Sequence, residues 1–313
     1  MNEGPPPPVA WMQKAWADAA PHRYPRYDAL RSAVACRHGV DASRVMVTAG
    51  GDETIDRVMG AARGLHLPSP TFSMFPVYAR LRACPLSHTP WDAPVGICER
   101  LLDTRPEGTD WIALVAPNNP TGWSVTSEEL SAMLAKLPDG VHLLLDQVYA
   151  EFDPEPLTEV ALEHPRALVV RSFSKSFGLA GLRVGYALGA PELIEALARD
   201  TAPFSVAGPC AHVAQRILEA PPPEVSAYWS WVPRARAGIE DALGAAAVLG
   251  SRANFVFART ASPFELRERL ADRGILVRAF EGASPFEARG TRITCPSNEE
   301  DLRRLLDALR SSK

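Results

Sequence analysis

Three nearly continuous apolar runs in the middle of the chain constrain its fold more than any other feature. They are WIALVAP (Trp111–Pro117), VHLLLDQ (Val141–Gln147) and ALVVRSFS (Ala167–Ser174). Runs of this kind are typical of strands that are buried on both faces of a parallel sheet. A helical pattern over Ser127–Leu137 separates the first two runs, as a parallel crossover requires. We therefore predict an α/β fold with a mostly parallel central sheet flanked by helices.

Polar side chains follow each apolar run at the point where the strand should end. They are Asn118 and Asn119, then Asp146 and Tyr149, then Ser172, Ser174, Lys175 and Arg183. Taken singly, such a residue is more often a helix cap, a core side chain or a solvated charge. Because the carboxyl ends of parallel strands meet at one edge, where open α/β sheets bind ligands, we expect these side chains to form one site.

The C-terminal third has a different pattern. A long helical segment around Ser226–Leu243 is followed by short strand and helix patterns, which are typical of a smaller α+β unit. We predict a large domain over residues 21–214 and a small C-terminal domain over residues 215–313. Residues 1–20 are predicted to form an N-terminal arm that packs with the small domain.

Composition and charge disfavour several classes of protein. The chain has 33 Lys and Arg against 37 Asp and Glu, a net charge of −4, without the basic excess expected of a nucleic-acid binder. No stretch approaches the ~18 apolar residues of a membrane helix, and no signal-peptide pattern opens the chain. The scattered cysteines and histidines show no metal-ligand spacing, so we expect no metal and a cytoplasmic protein.

Three segments, taken in chain order, carry a family resemblance. PNNPTG (117–122), LDQVY (145–149) and SFSKSFGLAGLRVG (172–185) resemble the successive motifs of fold-type I aminotransferases, which use pyridoxal 5'-phosphate. The opening NEGP, RYP at 23–25, GGDE at 50–53 and RIT at 292–294 are similar to the histidinol-phosphate aminotransferase branch. The resemblance spans essentially the whole chain. It implies a fold-type I homodimer that moves an amino group between a small-molecule donor and a 2-oxo acid.

The resemblance assigns catalytic roles to the residues at the strand ends. Lys175 would hold the cofactor aldehyde as a Schiff base and later move protons. Asp146 would pair with the pyridine nitrogen and keep the ring able to accept electrons. Asn119 and Tyr149 would bind the phenolic oxygen of the ring. The resemblance therefore places Lys175, Asp146 and Tyr149 at the catalytic centre.

The remaining site residues follow from the same resemblance. The cofactor phosphate would be held at a helix N-terminus by Gly50, Gly51 and Asp52, together with Ser172, Ser174 and Arg183. Phe72 would stack on the cofactor ring, and Tyr24 would reach the cofactor phosphate of the neighbouring subunit. On the substrate side, Arg292 would hold a carboxylate and Arg278 a substrate phosphate.

Three departures from the branch leave the substrate open. Pro6 replaces an aromatic residue that closes over the substrate, Gln147 stands where Glu is common, and the segment before Phe72 leaves little room for the usual strand. Histidinol phosphate with 2-oxoglutarate is the leading substrate pair. A lyase resembling threonine-phosphate decarboxylase and a non-catalytic binding protein remain as alternatives.

Overall fold

A computed structural model describes residues 2–199 and 203–311 of the chain. Its larger sheet has seven strands in the order β1-β7-β6-β5-β4-β2-β3. These strands are β1 (Val45–Thr48), β2 (Leu65–Ser69), β3 (Leu86–Pro90), β4 (Trp111–Val115), β5 (His142–Asp146), β6 (Ala167–Ser172) and β7 (Gly185–Leu188). The pairs from β3 through β6 are parallel, whereas β7 runs antiparallel to both β6 and β1. The predicted mostly parallel sheet, with the three apolar runs as neighbouring strands, is confirmed.

Side chains along the central strands alternate between two apolar layers. On β4, Ile112 and Leu114 join one buried cluster, whereas Ala113 and Val115 join the other. Successive residues of a strand point to opposite faces, so a strand covered on both sides must be apolar throughout. The helices around the sheet are α1 (Val9–Ala17), α2 (Asp28–His38), α3 (Gly50–Ala61), α4 (Met74–Leu81), α5 (Ile97–Thr104), α6 (Ser127–Ala135), α7 (Leu157–Leu162), α8 (Pro191–Ala198) and α9 (Gly208–Glu219).

A smaller antiparallel sheet follows in the C-terminal part, with the strand order β10-β11-β9-β8. It consists of β8 (Ala247–Val248), β9 (Phe255–Ala258), β10 (Arg278–Glu281) and β11 (Arg289–Thr294), and its helices are α10 (Pro223–Leu243), α11 (Pro263–Ala271) and α12 (Glu299–Arg310). A third apolar cluster lies between this sheet and its helices. The division after residue 214 would cut through α9, which packs along α2. We therefore propose that the small domain begins between α9 and α10, near residue 221.

The N-terminal segment contacts both sheets. Asn254 donates from Nδ2 to the carbonyl of Asn2 (3.1 Å), next to β9 of the small sheet. The amide of Gly4 donates to the carbonyl of Lys175 (2.7 Å), beside the large sheet. Farther along, Trp11 donates from Nε1 to the carbonyl of Ala220 (3.2 Å), and α1 packs on α9. The arm therefore packs against more of the chain than the small domain alone.

The segment before Phe72 differs from the prediction made for it. It contains a complete and fully buried strand, β2, between β3 and β4, where little room for a strand was predicted. His66 interrupts the apolar pattern of this strand, but its ring nitrogens are bonded to the hydroxyls of Ser87 (2.7 Å) and Thr89 (2.8 Å). A buried polar side chain with partners costs little, so the strand tolerates it.

Candidate active site

A cavity of about 430 Å³ lies at the carboxyl ends of β4, β5 and β6, between the two sheets. Twelve residues predicted for the site line it: Gly51, Asp52, Phe72, Asn119, Asp146, Tyr149, Ser172, Ser174, Lys175, Arg183, Arg278 and Arg292. This volume is in the usual range for small-molecule sites. Gly50 lies directly behind the lining, against Arg183, and Tyr24 lies elsewhere. The strand-end residues therefore converge as the topology predicts.

Lys175 follows β6 and points its amine into the cavity. Its Nζ donates to Oδ1 of Asn2 (3.1 Å) and lies 6.0 Å from the centre of the Tyr149 ring. Asn2 is buried and also donates from Nδ2 to the hydroxyl of Tyr149. Asn2 was not among the residues predicted for the site, although the NEGP motif that contains it was a usable signal.

Asp146 ends β5 with its carboxyl group buried at the cavity wall. The side chain is 3% exposed and accepts a hydrogen bond from the amide of Val148 (3.2 Å). Burial raises the pKa of Asp146 to about 7, because a carboxylate loses hydration in such a place. A cation binding beside it would favour the ionised form.

Asn119 and its neighbour Asn118 shape the turn that follows β4. Asn118 is fully buried and donates from Nδ2 to the carbonyl of Pro70 (3.0 Å) and to Oγ1 of Thr121 (2.9 Å). Asn119 accepts at Oδ1 a hydrogen bond from Nη1 of Arg292 (2.7 Å). Asn118 therefore fixes the turn, and Asn119 connects the large sheet to the small one.

A group of hydrogen-bond donors lies where α3 begins. Arg183 donates from Nη1 to Oγ of Ser174 (3.3 Å) and pairs through Nη2 with Asp52 (3.1 Å). The amide of Ser174 donates to Oγ of Ser172 (3.1 Å). Gly50 has φ +75°, and a Cβ there would lie 2.7 Å from Nη2 of Arg183. Since a helix N-terminus and a guanidinium both favour anions, this corner can hold a phosphate.

Arg292 and Arg278 face each other across β11 and β10. Arg292 is 5% exposed, and its guanidinium carbon lies 5.2 Å from the Phe255 ring centre and 5.9 Å from that of Phe280. Burial lowers the pKa of Arg292, and Nε has no hydrogen-bond partner among the described residues. A buried guanidinium with a free donor is suited to bind a carboxylate.

The other predicted residues are placed as follows. Phe72 is half-buried and meets Phe75 edge to face at 6.4 Å. Tyr24 is 81% exposed and stacks on Phe204 at 5.1 Å, so within one chain it is not part of the cavity. Pro6 and Gln147, which depart from the family branch, lie outside the lining.

The cavity fits the cofactor that the resemblance implies. It offers an amine at Lys175, a buried carboxyl group at Asp146, an aromatic ring at Phe72 and the anion-binding corner around Arg183. In this order, these groups are suited to bind the aldehyde, the ring nitrogen, the ring face and the phosphate of pyridoxal 5'-phosphate. No group of His, Cys, Asp and Glu in the described part of the chain could hold a metal ion. Within residues 2–199 and 203–311, no helix is long and apolar enough to cross a membrane.

Comparisons with known proteins agree with this geometry. The profile of the family "Aminotransferase class I and II" matches residues 2–309. Histidinol-phosphate aminotransferase 1 of Bradyrhizobium diazoefficiens is 35% identical, with 99% of this chain and 90% of that protein covered. An aromatic amino acid aminotransferase of Corynebacterium efficiens is 32% identical, with 97% of this chain and 89% of that protein covered.

A solved structure has the same fold. It is histidinol-phosphate aminotransferase from Sinorhizobium meliloti in complex with pyridoxal 5'-phosphate. It superposes with a TM-score of 0.86 at 24% identity and covers 100% of this chain and 90% of its own. The chain belongs to the class I and II aminotransferases and is an enzyme that uses pyridoxal 5'-phosphate.

Proposed function

We propose that this aminotransferase takes its amino group from histidinol phosphate and passes it to a 2-oxo acid, with Lys175 as the covalent anchor of the cofactor. The observation that carries the proposal is the placement of Lys175, Asp146 and Arg292 around one cavity, with Arg278 lining the same cavity. A donor with a phosphate and an acceptor with a carboxylate would each find a guanidinium there.

The bound cofactor supplies an electron sink for the negative charge that develops at the donor carbon. With the cofactor bound, the amine of Lys175 would hold its aldehyde and would be the base that moves a proton at the donor carbon. Asp146 would pair with the ring nitrogen, and a cationic partner there would favour the ionised form of its buried carboxyl group. Tyr149 and Asn119 would orient the ring by hydrogen bonds to its phenolic oxygen.

The phosphate corner anchors the cofactor. Arg183 and the hydroxyls of Ser172 and Ser174 would hold the cofactor phosphate, together with the backbone amides of Gly51 and Asp52 at the start of α3. Gly50 leaves room for the Arg183 side chain. The aromatic ring of Phe72 would stack on one face of the cofactor ring.

Two observations favour a second candidate donor, an aromatic amino acid. The relative from Corynebacterium efficiens is named an aromatic amino acid aminotransferase. The rings of Phe72, Phe280 and Phe286 also line the cavity. With such a donor Arg292 binds the donor carboxylate, and Arg278 has no phosphate to bind.

We also propose that the enzyme is a cytoplasmic homodimer. Tyr24 and Phe204 form an exposed stacked pair, and Tyr24 is the residue expected to reach the neighbouring subunit's cofactor phosphate. An exposed aromatic pair favours association, because burying it removes apolar surface from water. Sedimentation of the holoenzyme checks the assembly, and a monomer would contradict it.

A donor screen tests the function. The holoenzyme is mixed with histidinol phosphate, with aromatic amino acids and with O-phosphothreonine, and formation of the keto product and release of CO2 are measured. We expect the largest kcat/KM with histidinol phosphate and no CO2. A Lys175→Ala variant should retain no cofactor after borohydride reduction. Absence of borohydride-fixed cofactor in the wild-type protein would refute the role of Lys175, and CO2 release would indicate the lyase.

A further inference from the structure

A buried carboxylate, Glu151, lies behind the active site and does not line the cavity. It belongs to a short 3-10 turn, Ala150–Phe152, and its side chain is 4% exposed. Oε1 of Glu151 accepts hydrogen bonds from Arg171 and from Nη2 of Arg37 (3.3 Å). Oε2 accepts from Oγ of Ser176 (2.7 Å), the residue directly after Lys175.

The hydrogen bonds continue beneath the ends of three neighbouring strands. Arg171 on β6 donates from Nη1 to Oγ1 of Thr158 (2.9 Å), and that hydroxyl donates to Oε1 of Gln147 (2.6 Å). Gln147 follows Asp146 and donates from Nε2 to the carbonyl of Ala116 (2.9 Å), just after β4. We call Ala116, Gln147, Glu151, Thr158, Arg171 and Ser176 the strand-end network. It connects the segments that carry Asn119, Asp146 and Lys175.

Glu151 is the anionic member of this network. Burial by itself raises the pKa of Glu151, but Arg171, Arg37 and the hydrogen bonds from Ser176 and the backbone together lower it by more, so the pKa lies below its ordinary value and the carboxyl group is ionised. Gln147 stands where a glutamate is common in the family branch, and as an amide it can donate to the carbonyl of Ala116. Among the described residues, Glu151 is therefore the carboxylate that forms an ion pair with Arg171.

Two backbone carbonyls of the loop that carries Lys175 are hydrogen-bonded. The carbonyl of Lys175 accepts from the amide of Gly4 (2.7 Å), and the carbonyl of Ser176 accepts from Nε1 of Trp229 (2.8 Å). The Ser176 side chain reaches the turn after β5, where it donates to Glu151. This contact links the Lys175 loop to the segment that follows Asp146 and Tyr149.

We propose that Glu151 is a positioning residue for the transamination reaction: through Ser176 it holds the Lys175 loop in register with the segment that carries Asp146 and Tyr149. The inference rests on the proposed role of Lys175 as the cofactor anchor. A displacement of about 1 Å in a reacting group can cost about a hundredfold in rate, so a contact of this kind affects catalysis without touching substrate.

Asp153 provides a matched control for a purely structural role. It lies two residues from Glu151, and its side chain is fully buried. It also pairs with an arginine, Arg252 (3.2 Å), and with the hydroxyl of Ser124. It makes no described contact with Ser176 or Lys175. Asp153→Asn therefore removes a comparable buried charge without disturbing the Lys175 loop.

The experiment compares the holoenzymes of wild type, Glu151→Gln, Ser176→Ala and Asp153→Asn. Four quantities are measured: kcat, KM, the visible circular dichroism per bound cofactor, and the rate at which borohydride fixes the cofactor. For Glu151→Gln we expect kcat to fall about tenfold to a hundredfold with KM nearly unchanged, and the circular dichroism to decrease. Ser176→Ala should change the same quantities in the same direction, by less. Asp153→Asn should keep the wild-type spectrum.

Two results would overturn the inference. One is a Glu151→Gln enzyme whose spectrum and kcat match those of Asp153→Asn. The other applies if Glu151→Gln does not fold. In that case, a folded Ser176→Ala enzyme with the kcat, circular dichroism and borohydride trapping rate of the wild type would overturn the inference. If borohydride fixes no cofactor on the wild-type protein, the proposed role of Lys175 as cofactor anchor is wrong. That result differs from the two above, so a failure of the proposed function can be told apart from a failure of the positioning role of Glu151.

Discussion

Replacing Asp146 with asparagine should make the cofactor-free protein more stable at alkaline pH. The pKa of Asp146 is about 7 in the folded chain, against an ordinary value of 3.8. Between these two values the folded state binds more protons than the unfolded state, so the free energy of unfolding falls as pH rises. For this pair of pKa values, the loss between about pH 5 and about pH 8 is about 2–3 kcal/mol. Asparagine has no charge to bury and keeps an oxygen for the amide of Val148.

Urea denaturation of the cofactor-free proteins at both pH values measures this difference. The wild type should lose about 2–3 kcal/mol more than Asp146→Asn over the interval. Asp41→Asn serves as a control, because hydrogen bonds from Ser43 lower the pKa of the exposed Asp41 carboxyl group, which is therefore ionised at both pH values and should add little to the difference between them. With cofactor bound, Asp146→Asn should lose about a hundredfold or more in kcat, since the partner of the ring nitrogen is gone. Parallel pH dependences for wild type and Asp146→Asn would refute the reasoning.

Three further predictions concern the anion-binding groups. Gly50→Ala should weaken cofactor binding by about tenfold, because a Cβ at this position would meet Arg183. Gly39→Ala is the control: Gly39 also has a positive φ, but a Cβ there would meet no other atom, so cofactor binding should not change. Equilibrium dialysis measures this, and equal affinities would contradict it. Arg292→Lys should raise the KM of the 2-oxo acid acceptor about tenfold or more, since a forked, charge-assisted contact contributes about 1.5–3 kcal/mol; an unchanged KM would remove Arg292 from the carboxylate site. Arg278→Gln should raise the unfolding free energy of the ligand-free protein by about 0.2–1 kcal/mol, because it removes a like charge directly opposite Arg292. It should also raise the KM of phosphate-bearing donors. A less stable variant would argue against repulsion between the two arginines.

The fold could be predicted from the sequence because the local pattern and the final packing agree. β4, β5 and β6 are mostly apolar, with their charged and polar residues near the strand ends, and the structure covers both of their faces. Their polar residues had to meet, since parallel strands end at one edge. β2 was missed because His66 hides its apolar character, and the hydroxyls that satisfy this ring come from residues more than twenty positions away.

The contacts between residues in and behind the site are ones that no local pattern reveals. Asn2 reaches Lys175 across 173 residues of sequence, and Arg292 reaches Asn119 across the same separation. Glu151 contacts Arg171 and Ser176, which lie 20 and 25 residues away. A sequence shows which residue types can make such bonds, but three-dimensional packing selects the partners.

Several costs to stability are concentrated around this one cavity. Asp146 buries a carboxyl group whose charge the fold itself disfavours, and Arg278 lies directly opposite Arg292, where like charges repel. At the phosphate corner, Gly50 takes a backbone conformation that favours glycine and leaves Arg183 room to turn inward. Packing alone explains neither Asp146 nor the facing arginines, because neutral residues at these positions would serve the fold better. The cost at these positions is offset when a ligand brings the complementary group: a cationic ring nitrogen for Asp146, a carboxylate or phosphate for the two arginines. Substitutions that neutralise Asp146 or Arg278 should therefore stabilise the ligand-free protein while they lower activity, and that inverse relation distinguishes charges maintained for chemistry from charges maintained for structure.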